Sequence, residues 1–298
     1  MTSPRVKNGR AKLRFAANAV VVGLVLAVSS TSVAAGRPGK PPKPTTTTST
    51  STSTSTTTTT TTTTTTPPPG VQRGFDTCAA PSTATMSAWK ASSSYTSIGV
   101  YIGGANAACV NVTSSWVTTV TGQGWRLAPL YVGLQASCSG FNSKMSADPT
   151  WAAIQGLVAG DDAASKAAAL GIGASAPIYF DLEAYNSADS TCANAAISFV
   201  DGWAHQLHAK GFTAGFYSSS ASGIRVEAST YDDPNDRLDG IWFANWDNRI
   251  SVFGDPYFSD LVWPDHQRLH QYTGGHDETW GGARVNIDSN ATDGLLFP

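Results

Sequence analysis

The chain has 298 residues, 41% of them hydrophobic and 13% charged, with a formal net charge of −2. That balance hides an asymmetry: the first 70 residues hold eight of the 19 Lys and Arg and none of the 21 Asp and Glu, so the remainder carries a formal −10. A domain this acidic repels polyanions, which excludes nucleic acid as an expected partner. All nine Trp and all nine Tyr also lie beyond residue 70, a composition that suits a neutral polar ligand such as a glycan and equally suits an ordinary core.

The first 35 residues read as a secretory signal peptide. Arg5 to Arg14 form a basic segment, Ala16 to Val28 an apolar one, and Ser32-Val33-Ala34-Ala35 a small-residue cleavage site. The apolar run is short for a membrane span and lacks a stop-transfer flank, so no stable membrane insertion is expected. The basic segment has no adjacent arginines, which favours the general secretory route over the twin-arginine one. Residues 36–70 form a linker. Thr45 to Thr66 is Thr and Ser only, between Pro-rich borders at Pro38–Pro44 and Pro67–Pro69, and no core can be built from it. It reads as a disordered tether, stiffened if O-glycosylated. The expected location is extracellular, with the cell wall as a place of association.

Residues 71–298 suffice for one large domain. Arg73–Cys78 is a short strand ending in an acid, Met86–Ser92 a helix after Pro81, and Ile98, Val100 and Ile102 mark a second strand. Ser114–Thr121 is the next helix, and Leu127–Gln135 a third strand with Ala128, Leu130, Val132 and Leu134 on one face. Asp161–Leu170 is Ala-rich and helical, stopped by Gly171. A fourth strand follows at Pro177. Ala193–Lys210 carries Ile197, Val200, Trp203, Ala204 and Leu207 at helical spacing and ends at Gly211. Further strands are expected at Phe212–Ser218, Ile241–Trp246, Leu269–Thr273 and Val285–Asp288.

The fourth strand carries the densest chemistry. In Pro177-Ile178-Tyr179-Phe180-Asp181-Leu182-Glu183-Ala184-Tyr185, Ile178, Phe180 and Leu182 share one face, and Tyr179, Asp181, Glu183 and Tyr185 the other. Two residues along a strand span about 6.6–6.8 Å, so Asp181 and Glu183 are close neighbours. Like charges that near do not both ionise freely, and one carboxyl is held protonated, as a general acid requires. A strand end whose acids cap a helix or sit in water would show the same residues.

Strand and helix alternate through the fifth strand, the signal of parallel pairing with crossover helices. Eight strands in this length point to an α/β fold: an irregular TIM-like (β/α) barrel of eight strands, with helices missing or reduced after the later ones, because Asn248–Arg268 holds two prolines and Gly274–Arg284 is Gly-rich. An open doubly wound sheet is the alternative. In such barrels the chemistry sits at the carboxyl ends of the strands. Asp76, Asp181, Glu183 and Asp288 end the first, fourth and eighth strands, and closure makes the first and eighth neighbours. Tyr101, Tyr131, Tyr185, Asn245, Trp246, Gln271 and Tyr272 are the expected substrate-binding rim.

Gly74-Phe75-Asp76, Tyr179-Phe180-Asp181-Leu182-Glu183, Trp242 to Trp246, His270-Gln271-Tyr272 and Asn286-Ile287-Asp288 together resemble the glycoside-hydrolase-like family known as domain of unknown function 1906. That family of secreted bacterial proteins is similar to the family-25 lysozymes, the N-acetylmuramidases. The likeness spans nearly all of residues 71–298, and its most specific element is the Asp-x-Glu strand. It implies a peptidoglycan-like substrate with N-acetylated sugars, Glu183 as the general acid, and Asp181 raising the Glu183 pKa and orienting an acetamide or water. Asp76 and Asp288 would stabilise an oxocarbenium-like transition state or activate water. Direct displacement, inversion and assistance by an N-acetyl group are all compatible routes. A cell-wall-binding protein without turnover would retain the same cleft and aromatics.

Other chemistries find little support. His205 and His208 sit three apart on a helix, His266 and His270 straddle a strand start with no His-Glu-x-x-His, and no Gly-x-Ser-x-Gly elbow or phosphate loop occurs. No metal or cofactor is expected, and the domain reads as a monomer. Asn111 and Asn290 are Asn-x-Thr sequons that matter only in a glycosylating host. Cys78, Cys109, Cys138 and Cys192 suit an oxidising compartment. Strands in order around a barrel bring Cys78 near Cys109 and Cys138 near Cys192.

Overall fold

The computed structural model describes residues 70–232 and 238–298; the expected signal peptide and nearly all of the linker lie outside them. Eight strands follow one another in chain order around a closed barrel. They are β1 (Gln72–Asp76), β2 (Tyr95–Gly103), β3 (Arg126–Tyr131), β4 (Pro177–Asp181), β5 (Thr213–Ser219), β6 (Gly240–Ala244), β7 (Arg268–Trp280) and β8 (Ala283–Asp293). Helices α1 (Thr83–Ser92), α2 (Ser114–Gly122), α3 (Pro149–Ala169) and α4 (Ser190–Ala209) fill the first four crossovers. After β5 the helical content shrinks to a π-helical turn, Ser220–Ile224, and the single turn of α5 (Arg225–Ala228). Between β6 and β7 the described chain has no helix.

Pairing is parallel from β1 to β7, but β8 runs antiparallel to both β7 and β1. The expected eight-stranded barrel is thus a mixed one, parallel except at its last strand. The cause is local. Trp280 pairs with Ala283, and Gly281 and Gly282 between them both adopt positive φ, as the favoured two-residue hairpin turns require. A parallel neighbour needs a crossover of a dozen residues or more, and two residues allow only a reversal.

Each long helix begins at a side-chain cap. Ser82, Thr113, Asp148 and Asp189 accept from backbone N–H groups of the first turns of α1, α2, α3 and α4, satisfying donors that have no partner inside the helix. Asp148 followed by Pro149 starts α3 a dozen residues before the expected position. Its first half buries only Ala152, Gly156 and Ala159 while exposing Trp151, Ile154 and Val158, so the apolar pattern reads inverted. The buried glycines let two backbones touch. A Cβ on Gly156 would lie 2.0 Å from the Phe199 carbonyl oxygen, and one on Gly202 2.2 Å from that of Ala153.

Alternation sorts the wall into two cores. Ile178, Phe180, Phe216 and Ile241 face outward against the helices, whereas Ala128, Leu130, Tyr179, Trp242 and Leu269 fill the barrel interior, as layered side chains do in such barrels. The interior aromatics need glycine opposite them: a Cβ on Gly99 would lie 2.5 Å from the Trp242 ring, and one on Gly215 2.4 Å from that of Tyr179. Disulfides join Cys78 to Cys109 and Cys138 to Cys192, tying the loops that follow β1 and β3 to the rest of the fold.

Candidate active site

Asp76, the last residue of β1, is 2% exposed and lies opposite Asp288 across the antiparallel β1–β8 pair. Asp288 is thus in the middle of β8, not at its end, and antiparallel register rather than strand polarity brings it to the mouth. Two amides hold the Asp76 carboxylate: Gln271 Nε2 donates at 3.1 Å and Asn290 Nδ2 at 2.7 Å. Asn290 Oδ1 in turn accepts from the Trp242 indole N–H at 2.8 Å. Gln271 Oε1 accepts from the Tyr217 hydroxyl and the Trp246 indole N–H, both at 3.0 Å. One hydrogen-bonded chain therefore runs from the packed interior to the exposed rim.

On the opposite side of the mouth, β4 ends at Asp181 and the next residues are pinned by a side chain of another loop. Gln135, fully buried, donates from Nε2 to the Asp181 carbonyl oxygen and accepts at Oε1 from the Glu183 N–H, both at 2.8 Å. The Leu182 N–H donates to the Tyr217 carbonyl at 3.0 Å. Glu183 is thereby presented to solvent on the wall of a cleft of about 370 Å³. Tyr217, Ser219, Asn245, Trp246 and Tyr257 also line it. Trp246 is 64% exposed yet fixed, by its bond to Gln271 and by lying on Gly274, where a Cβ would come within 2.7 Å of the indole.

The four carboxyls feel one another. Burial, then the charge of Asp288, pushes Asp76 up to about 8, against the pull of its amide donors. Burial raises Asp181 well above the ordinary range, with Glu183 and Asp76 adding to it. Glu183 is raised by burial and by Asp288. Asp288 is raised by burial but drawn down by Asp76 and His276, which is consistent with Asp76 holding a proton directed at Asp288. The half-buried Tyr101 phenol is affected by all four carboxyls, which places it among them. Asp181 Oδ1 is buried with no hydrogen-bond partner among the described residues.

Three expected rim residues are elsewhere, and alternation explains two of them. Tyr131 follows the inward Leu130 and so faces outward, packed against Phe180 and Trp203 with its hydroxyl on Asp162 of α3. Tyr272 follows the inward Gln271 and packs with Val252 and Ala291, outside the cleft. Tyr185 lies beyond the strand, rests against the outer core and buries its hydroxyl on the Glu227 side. Gln135, Tyr217, Tyr257 and Asn290 also build the site, beyond the residues expected there. For Asn290 the signal was there: it sits two residues from Asp288 and shares its face. Being 1% exposed and bonded at both ends of its amide, it is also no surface sequon. Among the described residues no group of three or more His, Cys, Asp or Glu is arranged to hold a metal ion.

With these carboxyls gathered at the mouth of the barrel, residues 87–292 match the family of Rv2525c-like, glycoside hydrolase-like domains. The chain belongs to that family. No curated protein matches it in sequence, but solved structures share the fold. An uncharacterized protein of B. stearothermophilus is 16% identical, with 75% of this chain and 99% of the other covered at a TM-score of 0.53. The Tat-secreted protein Rv2525c of Mycobacterium tuberculosis, in complex with L-tartrate, is 16% identical, with 77% and 99% covered at 0.51. The spore cortex lytic enzyme SleM of Clostridium perfringens is 14% identical, with 77% and 70% covered at 0.50. At such identities the likeness is one of fold. Among the described residues of this glycoside-hydrolase-like domain, no helix is long and apolar enough to cross a membrane, and its two disulfides fit an oxidising compartment.

Proposed function

We propose that this protein is a secreted glycoside hydrolase acting on cell-wall glycan of the peptidoglycan type, with Glu183 as the general acid. The observation that carries the reading is Glu183 itself. Its carboxyl opens on the cleft while burial and the charge of Asp288 raise its pKa, the combination an acid needs to hold a proton at neutral pH and still reach a substrate. Trp246 and Tyr257 offer exposed ring faces beside it, suited to the apolar face of a sugar. Asp181 supplies an unpartnered acceptor for a substrate N–H or a water. Asp288, the carboxyl that neighbouring groups draw toward ionisation, is the group to stabilise positive charge developing on the sugar. The fold-sharing cortex lytic enzyme and the secreted Rv2525c protein are consistent with a cell-wall glycan and an extracellular site of action.

A second reading, a glycan-binding protein without turnover, has one observation in its favour. The Asp76 carboxyl is buried and held by two amide donors, an arrangement that serves structure as well as chemistry. Release of reducing ends from peptidoglycan by the wild type and by Glu183→Gln separates the two. The hydrolase loses turnover in the variant and keeps its affinity; a binder shows affinity, no turnover and no difference between the proteins.

A further inference from the structure

His270 follows the inward Leu269 on β7 and therefore points out of the barrel, under the loop that carries Asn245 and Trp246. It is 2% exposed and stacked on Phe243, with ring centroids 4.3 Å apart and planes 11° apart. Its Nδ1 lies 2.6 Å from the Ser251 carbonyl oxygen and its Nε2 2.8 Å from that of Asn245. Both partners are backbone carbonyls, which only accept. Both contacts are hydrogen bonds only when both ring nitrogens carry protons. Neutral imidazole has one N–H and one bare lone pair, and turning the ring cannot help because neither partner donates.

Carboxylates stand on one side of the ring. Asp247 Oδ1 is 3.7 Å from Nε2, and Asp255, which accepts from the Asn245 side chain, lines the same small cavity as Asp247 and His270. Facing them are Arg249, 3.8 Å from Asp247, and Arg268, two residues earlier on β7, which is occupied by Asp260 and the Val252 carbonyl. The Tyr272 ring meets His270 edge-on. The two carbonyls belong to the two halves of one loop. Asn245 immediately precedes Trp246 and is also held by its N–H on the Gln271 carbonyl, whereas Ser251 begins the return.

We propose that His270 is a protonation-dependent clamp on the Trp246 loop, fixing the aromatic wall of the cleft while the ring holds both protons and loosening it when one is lost. This rests on the reading of Trp246 as a sugar platform, and it adds regulation to that site: glycan binding tightens at acidic pH and weakens as the ring deprotonates.

The test is NMR of the whole protein across a pH titration, reading the His270 ring nitrogens and the Trp246 indole N–H, assigned with His270→Phe and Trp246→Phe. Both ring nitrogens are expected to be protonated at the acid end, with the indole resonance moving in the same transition as the ring. His270→Phe keeps a ring on Phe243 and should abolish that movement. Should it fail to fold, Asp247→Asn, which removes the nearby carboxylate, should shift ring and indole together to lower pH. A bare ring nitrogen throughout, or an indole that moves at a different pH from the ring, overturns the clamp. Binding of a soluble N-acetylglucosamine oligomer is followed in parallel, with a loss of about fivefold expected across the transition, the size of one hydrogen bond. If no oligomer binds at any pH while the two resonances still move together, the glycan reading falls and the clamp stands.

Discussion

Asp76 and Asp288 face each other in register across the antiparallel seam that closes the barrel, and one proton suffices to keep the pair from repelling. Burial and the partner's charge keep that proton on Asp76 up to about pH 8, which leaves Asp288 to ionise and to act on Glu183. If Glu183 is the proton donor proposed above, kcat/KM should fall at high pH as its carboxyl loses that proton. Asp288→Asn removes the negative charge that raises the Glu183 pKa, so the falling limb of the pH–rate profile should move to lower pH, whatever the effect on its height. A limb that stays in place would separate the two carboxyls energetically.

Stability should also depend on Asp181. Its folded-state pKa is raised well above the ordinary aspartate value of 3.8, so the folded protein binds a proton that the unfolded chain has released. Stability is then lost as pH climbs from about 4 through the raised value, by up to about 1.4 kcal/mol per pH unit within that window. Asp181→Asn removes the charge without changing the shape. Thermal melts should show the variant gaining on the wild type at pH 8 and not at pH 4; equal melting shifts at both values would contradict the assignment.

Trp246 is the residue whose loss should weaken binding more than chemistry. Trp246→Ala removes the platform and frees Gln271 Oε1, and an affinity loss of about tenfold is expected, the equivalent of about 1.4 kcal/mol. Gly274→Val gives a sharper check, since its branched side chain occupies the space beneath the indole while leaving Trp246 itself in place. Isothermal titration with soluble glycan should show both variants impaired. A normal Gly274→Val would mean that the indole seat is unimportant.

Gln135 touches no substrate in this reading, but its amide sets the direction of the chain between Asp181 and Glu183. Misplacement of a catalytic group by about 1 Å costs on the order of a hundredfold in rate. Gln135→Ala should therefore lower kcat by about ten- to a hundredfold with little change in KM. A purely structural role would lower the folded fraction and leave the kinetics of the folded protein unchanged.

How far the sequence revealed this arrangement depended on periodicity. Asp76, Asp181 and Glu183 lie at or just past the ends of parallel strands whose alternation is clear, Gln271 lies where the parallel pairing of β7 with β6 stops, and strand order alone put them at one mouth. Tyr131 and Tyr272 were misplaced although the same alternation, counted from Leu130 and Gln271, turns them outward. Glu183 continues the alternation of β4 in sequence, whereas the strand stops at Asp181 and the buried amide of Gln135, which no local pattern pairs with it, carries the geometry onward. The reversal of β8 was encoded in Gly281-Gly282, but a Gly-rich stretch reads as a loop until its two flanks are seen to pair. The start of α3 was hidden because its apolar side chains face water and its glycines face α4.

The amide of Asn290 ties the carboxyl cluster to the packed interior through Trp242 and Asp76. In a eukaryotic secretory pathway the same Asn-x-Thr tripeptide is an acceptor for an oligosaccharide, added while the chain is still unfolded. A modified Asn290 could not enter the barrel wall, so heterologous production in yeast or animal cells selects between decorated chains that never close and bare ones that do. A bacterial host, or Thr292→Val, which removes the acceptor motif and leaves the amide in place, avoids that partition.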